Sequence, residues 1–102
     1  MIVKMKLNGI EIGISAYISE MLNDEMVLYN EDSKKIIVLN QTAMLVWKKI
    51  TESYEKNENI CTKDIVNIIA KIYELSESEA DGVCNDVDET IELFFQSSLL
   101  QR

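Results

Sequence analysis

The sequence has no histidine and no proline, only two cysteines and three glycines, and no long apolar run. Each absence removes a class of function. Without histidine the chain lacks the commonest metal ligand and the commonest general base. Cys61 and Cys84 show no C-x-x-C spacing, and a thiol without a neighbouring base is not an activated nucleophile. No Gly-rich phosphate loop, metal-ligand cluster or triad is present. The chain therefore reads as a non-enzyme that calls for no cofactor and no metal. The longest uncharged stretch, residues 36–47, is interrupted by Asn40, Gln41 and Thr42, well short of the roughly 20 apolar residues that a membrane crossing needs. The first residues, with Lys4 and Lys6 among them, lack the apolar centre of a signal peptide. A cytoplasmic protein with reduced thiols and no membrane partner is the expectation.

What is present is a modest core and an uneven charge. Ile, Leu, Val and Phe make up about a third of the 102 residues, above the roughly 20% below which charged chains tend to stay unfolded. One domain spanning residues 1–102 is expected. The net charge is −8. All of it can be assigned to residues 74–92, where Glu74, Glu77, Glu79, Asp81, Asp86, Asp88, Glu89 and Glu92 occur without a single Lys or Arg. Nucleic-acid binding depends on neutralising phosphates with basic residues, so no nucleic-acid partner is expected.

The hydrophobic period changes along the chain. Met1, Val3, Met5 and Leu7 alternate, Asn8-Gly9 follows, and Ile10, Ile12 and Ile14 alternate again. Asn-Gly between period-two segments predicts a hairpin over residues 2–15, because a type I′ turn needs positive φ at both central residues. Residues 14–18 are expected to run on as strand. A second hairpin is expected over residues 26–39, turning at Glu31-Asp32-Ser33 and ending in a β-branched run. From Asn40, a good helix cap, Ala43, Trp47, Ile50 and Tyr54 recur at helical spacing. Thr62 is the expected cap of a second helix with an Ile65, Ile68, Ile69, Ile72 stripe. Ser76 and Glu79 form a capping box for a third, with Ala80, Val83, Cys84, Val87, Ile91 and Phe94 on its apolar face. Gly82 costs about 1 kcal/mol in a helix interior, so a kink or separate first turn is expected there. Phe94 and Phe95, about 100° apart, cannot both face inward; one must border a groove or lie under the C-terminus, while Leu99 and Leu100 close the core. Strands followed by helices give an α+β class, with a small antiparallel N-terminal sheet and three helices in a winged helix-turn-helix-like outline.

Three segments carry a resemblance to a family. Val38-Leu39-Asn40-Gln41-Thr42-Ala43 followed by Val46-Trp47, then Asp64-Ile65-Val66 with Tyr73, then Asp86-Val87, Thr90-Ile91, Phe94 and Ser98-Leu99-Leu100 occur in the order and spacing of PqqD-like proteins. The likeness covers about residues 26–100. Ser98 stands where the family has glycine, Thr90 where it prefers a larger apolar residue, and residues 1–15 form an extra hairpin. The resemblance implies a recognition element for ribosomally synthesised, post-translationally modified peptides. Such a module binds the leader of a precursor peptide and presents it to a peptide-modifying enzyme, often a radical-SAM protein. The leader would add as a strand along Lys35, Ile36, Ile37, Val38 and Leu39, against a helix wall of Val83, Val87, Thr90, Ile91 and Phe94. A monomer or weak homodimer is expected.

Strand addition also makes sense from the residues alone, since an exposed edge offers unpaired N–H and C=O groups. The same run could instead be an interior or self-paired strand. The acidic helix face reads as a solvated face, or as a selector of Lys or Arg on the leader or enzyme. Two other functions fit the same residues. One is a winged-helix DNA binder, whose reading helix would carry the acidic cluster. The other is a structural or oligomerisation module in which the N-terminal hairpin pairs between chains.

Overall fold

A computed structural model describes residues 5–102. Its first turn follows from Asn8 and Gly9, both at positive φ (52° and 78°), which lets β1 (Lys6–Leu7) pair antiparallel with β2 (Ile10–Glu11). Met5, Leu7 and Ile12 are buried, while Ile10 is exposed. The expected hairpin is thus shorter than residues 2–15; the part over residues 1–4 lies outside the described residues. Strand β3 (Gly13–Ile14) leaves it to pair with β7 (Leu100–Gln101) at the other end of the chain. The strand does not run through residues 14–18. Ser15 breaks it by giving its N–H to the carbonyl of Leu99 and its hydroxyl to that of Ser98.

The main sheet is antiparallel, in the order β4 (Tyr17–Leu22), β5 (Glu25–Asn30), β6 (Ile36–Leu39). The β5–β6 pair is the second expected hairpin. Most of β4 escapes the sequence reading because Ile18, Met21 and Leu22 are all about half exposed, so no alternation of apolar and polar marks it. Side chains alternate across the sheet. Leu28, Ile37 and Leu39 face the core, and Ile36 and Val38 face solvent.

Three helices cover the inner face. Helix α1 (Gln41–Lys56) starts directly after β6, where the Asn40 side chain accepts the Ala43 N–H at 2.9 Å. Ala43, Val46, Trp47 and Ile50 are buried. Trp47 packs edge-on between Tyr17 and Phe94, with centroids 5.2 and 4.8 Å away. Helix α2 (Thr62–Tyr73) is capped by Cys61, not Thr62. The Asp64 carboxylate accepts the Cys61 N–H, and Thr62 is freed to turn inward and donate its hydroxyl to Asp88. The stripe on α2 is rotated from the expected one: Ile65, Val66 and Ile69 are buried, and Ile72 is exposed.

Helix α3 (Glu77–Gln96) is one unbroken helix. No kink occurs at Gly82, whose exposed position puts no side-chain demand on the core and leaves the backbone helical. The Ser76–Glu79 box anchors the first turn. The Ser76 N–H, and next its hydroxyl, hold the exposed Glu79 carboxyl below the usual carboxylate range. A lowered folded value means that this capping contribution is present above the usual range and fades as pH falls through the lowered one. Of the two adjacent aromatics, Phe94 enters the core and Phe95 lies under the Arg102 guanidinium, 4.9 Å from its ring centre. Leu99 and Leu100 are buried as expected.

One buried polar residue links sheet and helix. Asn30 is fully buried. Its amide donates to the carbonyl of Ser97 at 3.0 Å, and its oxygen accepts the N–H groups of Asp32 and Ser33. Asn30→Ala takes the acceptor from the Asp32 and Ser33 N–H groups and one of two donors from the Ser97 carbonyl, and urea unfolding should show a stability lower by about 1–3 kcal/mol. Gly82→Ala should do the reverse. A Cβ there meets nothing within 4 Å, so a gain of about 0.5–1 kcal/mol is expected.

Candidate functional site

Strand β6 has β5 on one side and, among the described residues, no strand on the other. Its register decides which groups are free. Asn30 donates its N–H to the carbonyl of Lys35, and Leu28 stands opposite Ile37 and Met26 opposite Leu39. In an antiparallel ladder the bonded pairs alternate. Ile37 and Leu39 therefore spend their main-chain groups on β5, and those of Ile36 and Val38 point away along the open edge.

Both ends of β6 meet α3. At the start, Lys35 Nζ donates to the Gln96 carbonyl at 3.3 Å. That contact also suits the helix macrodipole, because the last turn of α3 contains no basic residue of its own. At the other end, the chain turns into α1. There a cleft of about 450 Å³ opens between Asn40 and Thr42 on one wall and Asp86, Glu89, Thr90 and Leu93 of α3 on the other. A second hollow, about 520 Å³, shares Asn40 and Thr42 and continues toward Ile69, Tyr73, Leu75 and Val83. The Thr90 hydroxyl is turned back onto the Asp86 carbonyl at 2.8 Å.

The residues expected at the site divide into two groups. Lys35, Ile36 and Val38 are exposed, Val83 and Thr90 half-buried. The side chains of Ile37, Leu39, Val87, Ile91 and Phe94 lie in the core. None of these five lines either hollow. Sequence reasoning missed Asn40, Thr42, Asp86, Glu89 and Leu93 as lining residues. Positions 86, 89, 90 and 93 follow the helical three-and-four spacing, which was the available signal, one step round the helix from the apolar stripe. Among the described residues no group of His, Cys, Asp and Glu side chains could hold a metal ion, and no helix is long and apolar enough to cross a membrane.

Comparison with known proteins gives two matches. The family model for coenzyme PQQ synthesis protein D (PqqD) matches residues 25–100. The fold is similar to that of TbiB1, solved in complex with the TbiA(beta) leader peptide, with a TM-score of 0.67 and 21% sequence identity over 86% of this chain and 93% of that one. No curated protein matches the sequence.

The register makes a direct prediction for hydrogen exchange. The amides of Ile36 and Val38 should exchange much faster than those of Ile37 and Leu39; equal protection of all four would contradict an open edge.

Proposed function

The chain belongs to the PqqD family, and from that premise we propose that it is a binding module that takes the leader of a ribosomally synthesised precursor peptide as an added strand on β6. The observation that carries the reading is the open edge of β6 beside the α3 cleft. A guest strand would satisfy the free N–H and C=O groups of Ile36 and Val38, which gives affinity without regard to sequence. Selectivity would come from its side chains, which alternate between the two faces. Those on the inner side would enter the cleft lined by Thr90, Leu93, Asp86 and Glu89; those on the outer side would lie beside Ile36 and Val38.

The similarity to TbiB1, a protein solved with a leader peptide bound, supports this reading. The role is presentation: the leader is held while a separate peptide-modifying enzyme, of the radical-SAM or another class, acts on the remainder. No catalytic step is assigned to this chain. The two carboxylates in the cleft wall favour a leader with Lys or Arg in the docked segment. They weigh equally against the winged-helix DNA reading, in which phosphates would approach an acidic helix.

Titration with a synthetic peptide covering the leader of the neighbouring precursor gene should give roughly micromolar binding, about −8 kcal/mol, with amide shifts centred on residues 35–40 and 83–93. Val38→Pro removes an outward donor and should abolish the binding while the protein stays folded. Asp86→Lys with Glu89→Lys should weaken it, and the loss of wild-type affinity between low and high salt should be steep. Shifts confined to other surfaces, or full affinity in Val38→Pro, would rule the reading out.

A further inference from the structure

The outer face of the three-stranded sheet is largely apolar and, among the described residues, uncovered. Period-two alternation places Ile18, Leu22, Val27, Tyr29, Ile36 and Val38 on this one face. Ile18, Leu22, Ile36 and Val38 are 55%, 52%, 65% and 56% exposed, and Val27 and Tyr29 are half-buried. Isolated exposed aliphatics are ordinary on protein surfaces, but a contiguous set on one flat face marks an interaction site. The registers Ile18↔Tyr29↔Ile36 and Glu20↔Val27↔Val38 make the set contiguous across all three strands.

We propose that this face is the docking surface for the peptide-modifying enzyme, which would meet it with an apolar surface carrying Lys or Arg. The inference rests on the leader-presentation reading. Two observations select the occupant. Among the described residues, the charged side chains that the strand registers place on the face are acidic, Glu20 within the second row and Glu25 opposite Leu22. A second copy of this chain would bring acid against acid between molecules of net charge −8, whereas a basic partner completes the face. The face is also continuous with the β6 edge through Ile36 and Val38. A leader strand added there lays its own outward side chains alongside and widens the same surface by one strand. An enzyme that docks here therefore touches protein and leader together and favours the loaded module.

The test uses the full chain and the purified modifying enzyme encoded beside its gene, with affinity measured by calorimetry in the presence and absence of the leader peptide. The variants lie on β4, away from the β6 edge: Ile18→Asn with Leu22→Asn, and separately Glu20→Lys. Each should weaken enzyme binding at least tenfold, leave the leader titration unchanged, and remove most of the gain that leader gives to enzyme affinity. Unchanged enzyme affinity in both variants, with leader binding intact, overturns the docking surface while leaving strand addition standing. Sedimentation that shows a wild-type dimer dispersed by the Ile18→Asn, Leu22→Asn variant overturns it in favour of a second copy. Loss of leader binding to β6 in the wild-type protein is a failure of the presentation reading instead, and takes the leader-dependent gain with it.

Discussion

The buried side chain of Asn30 sets the geometry on which the rest depends. It accepts two N–H groups from the turn after β5 and donates to the carbonyl of Ser97 just beyond α3, so the β5–β6 turn and the end of α3 are held as one piece. Ser33 adds its hydroxyl to the same Ser97 carbonyl, and Lys35 reaches Gln96. At the far end of β6 the chain passes straight into Asn40, which caps α1. A strand fixed at both ends by its own neighbours, with β5 as its one strand partner among the described residues, keeps the second flank open. The open edge and the position of the α3 wall thus share one cause.

The N-terminal segment contributes to the same geometry from the other side. The turn residue Asn8 accepts the N–H of Thr62 and donates to the Thr62 hydroxyl, which in turn donates to Asp88 on α3. Main-chain bonds from Asn8 to Ile60 and from Ile60 to Lys6 reinforce the contact. The hairpin therefore braces the start of α2 against the middle of α3. One carboxylate of the acidic helix is engaged in that brace, and two others, Asp86 and Glu89, look into the cleft. All the acidic residues within 74–92 are nonetheless exposed, as a solvated face would have them.

Much of this was legible in the sequence wherever the determinant was local. Asn8-Gly9, Asn40 and the Ser76–Glu79 box each act within a few residues, and each sits where its chemistry predicts. Features that depend on distant partners were not readable. Thr62 has the side chain of a cap but is drawn inward by Asn8 and Asp88, leaving the cap to Cys61. Strand β4 carries apolar residues on the open face of the sheet, so burial cannot mark it. At the site, the β-branched run and the family resemblance pointed to β6, but a stripe at helical spacing identifies core before it identifies surface. Val87, Ile91 and Phe94 accordingly face inward, and the cleft is lined by the flanking positions 86, 89, 90 and 93.

The central claim, that a guest peptide lies extended against β6, is tested most directly by internuclear contacts in a complex of labelled protein with unlabelled leader peptide. Strand addition predicts short main-chain proton contacts between alternate peptide residues and the amides of Ile36 and Val38 and the α-proton of Ile37, with none to the amides of Ile37 and Leu39. A bound peptide that is helical, or whose contacts fall only on side chains away from β6, would contradict it.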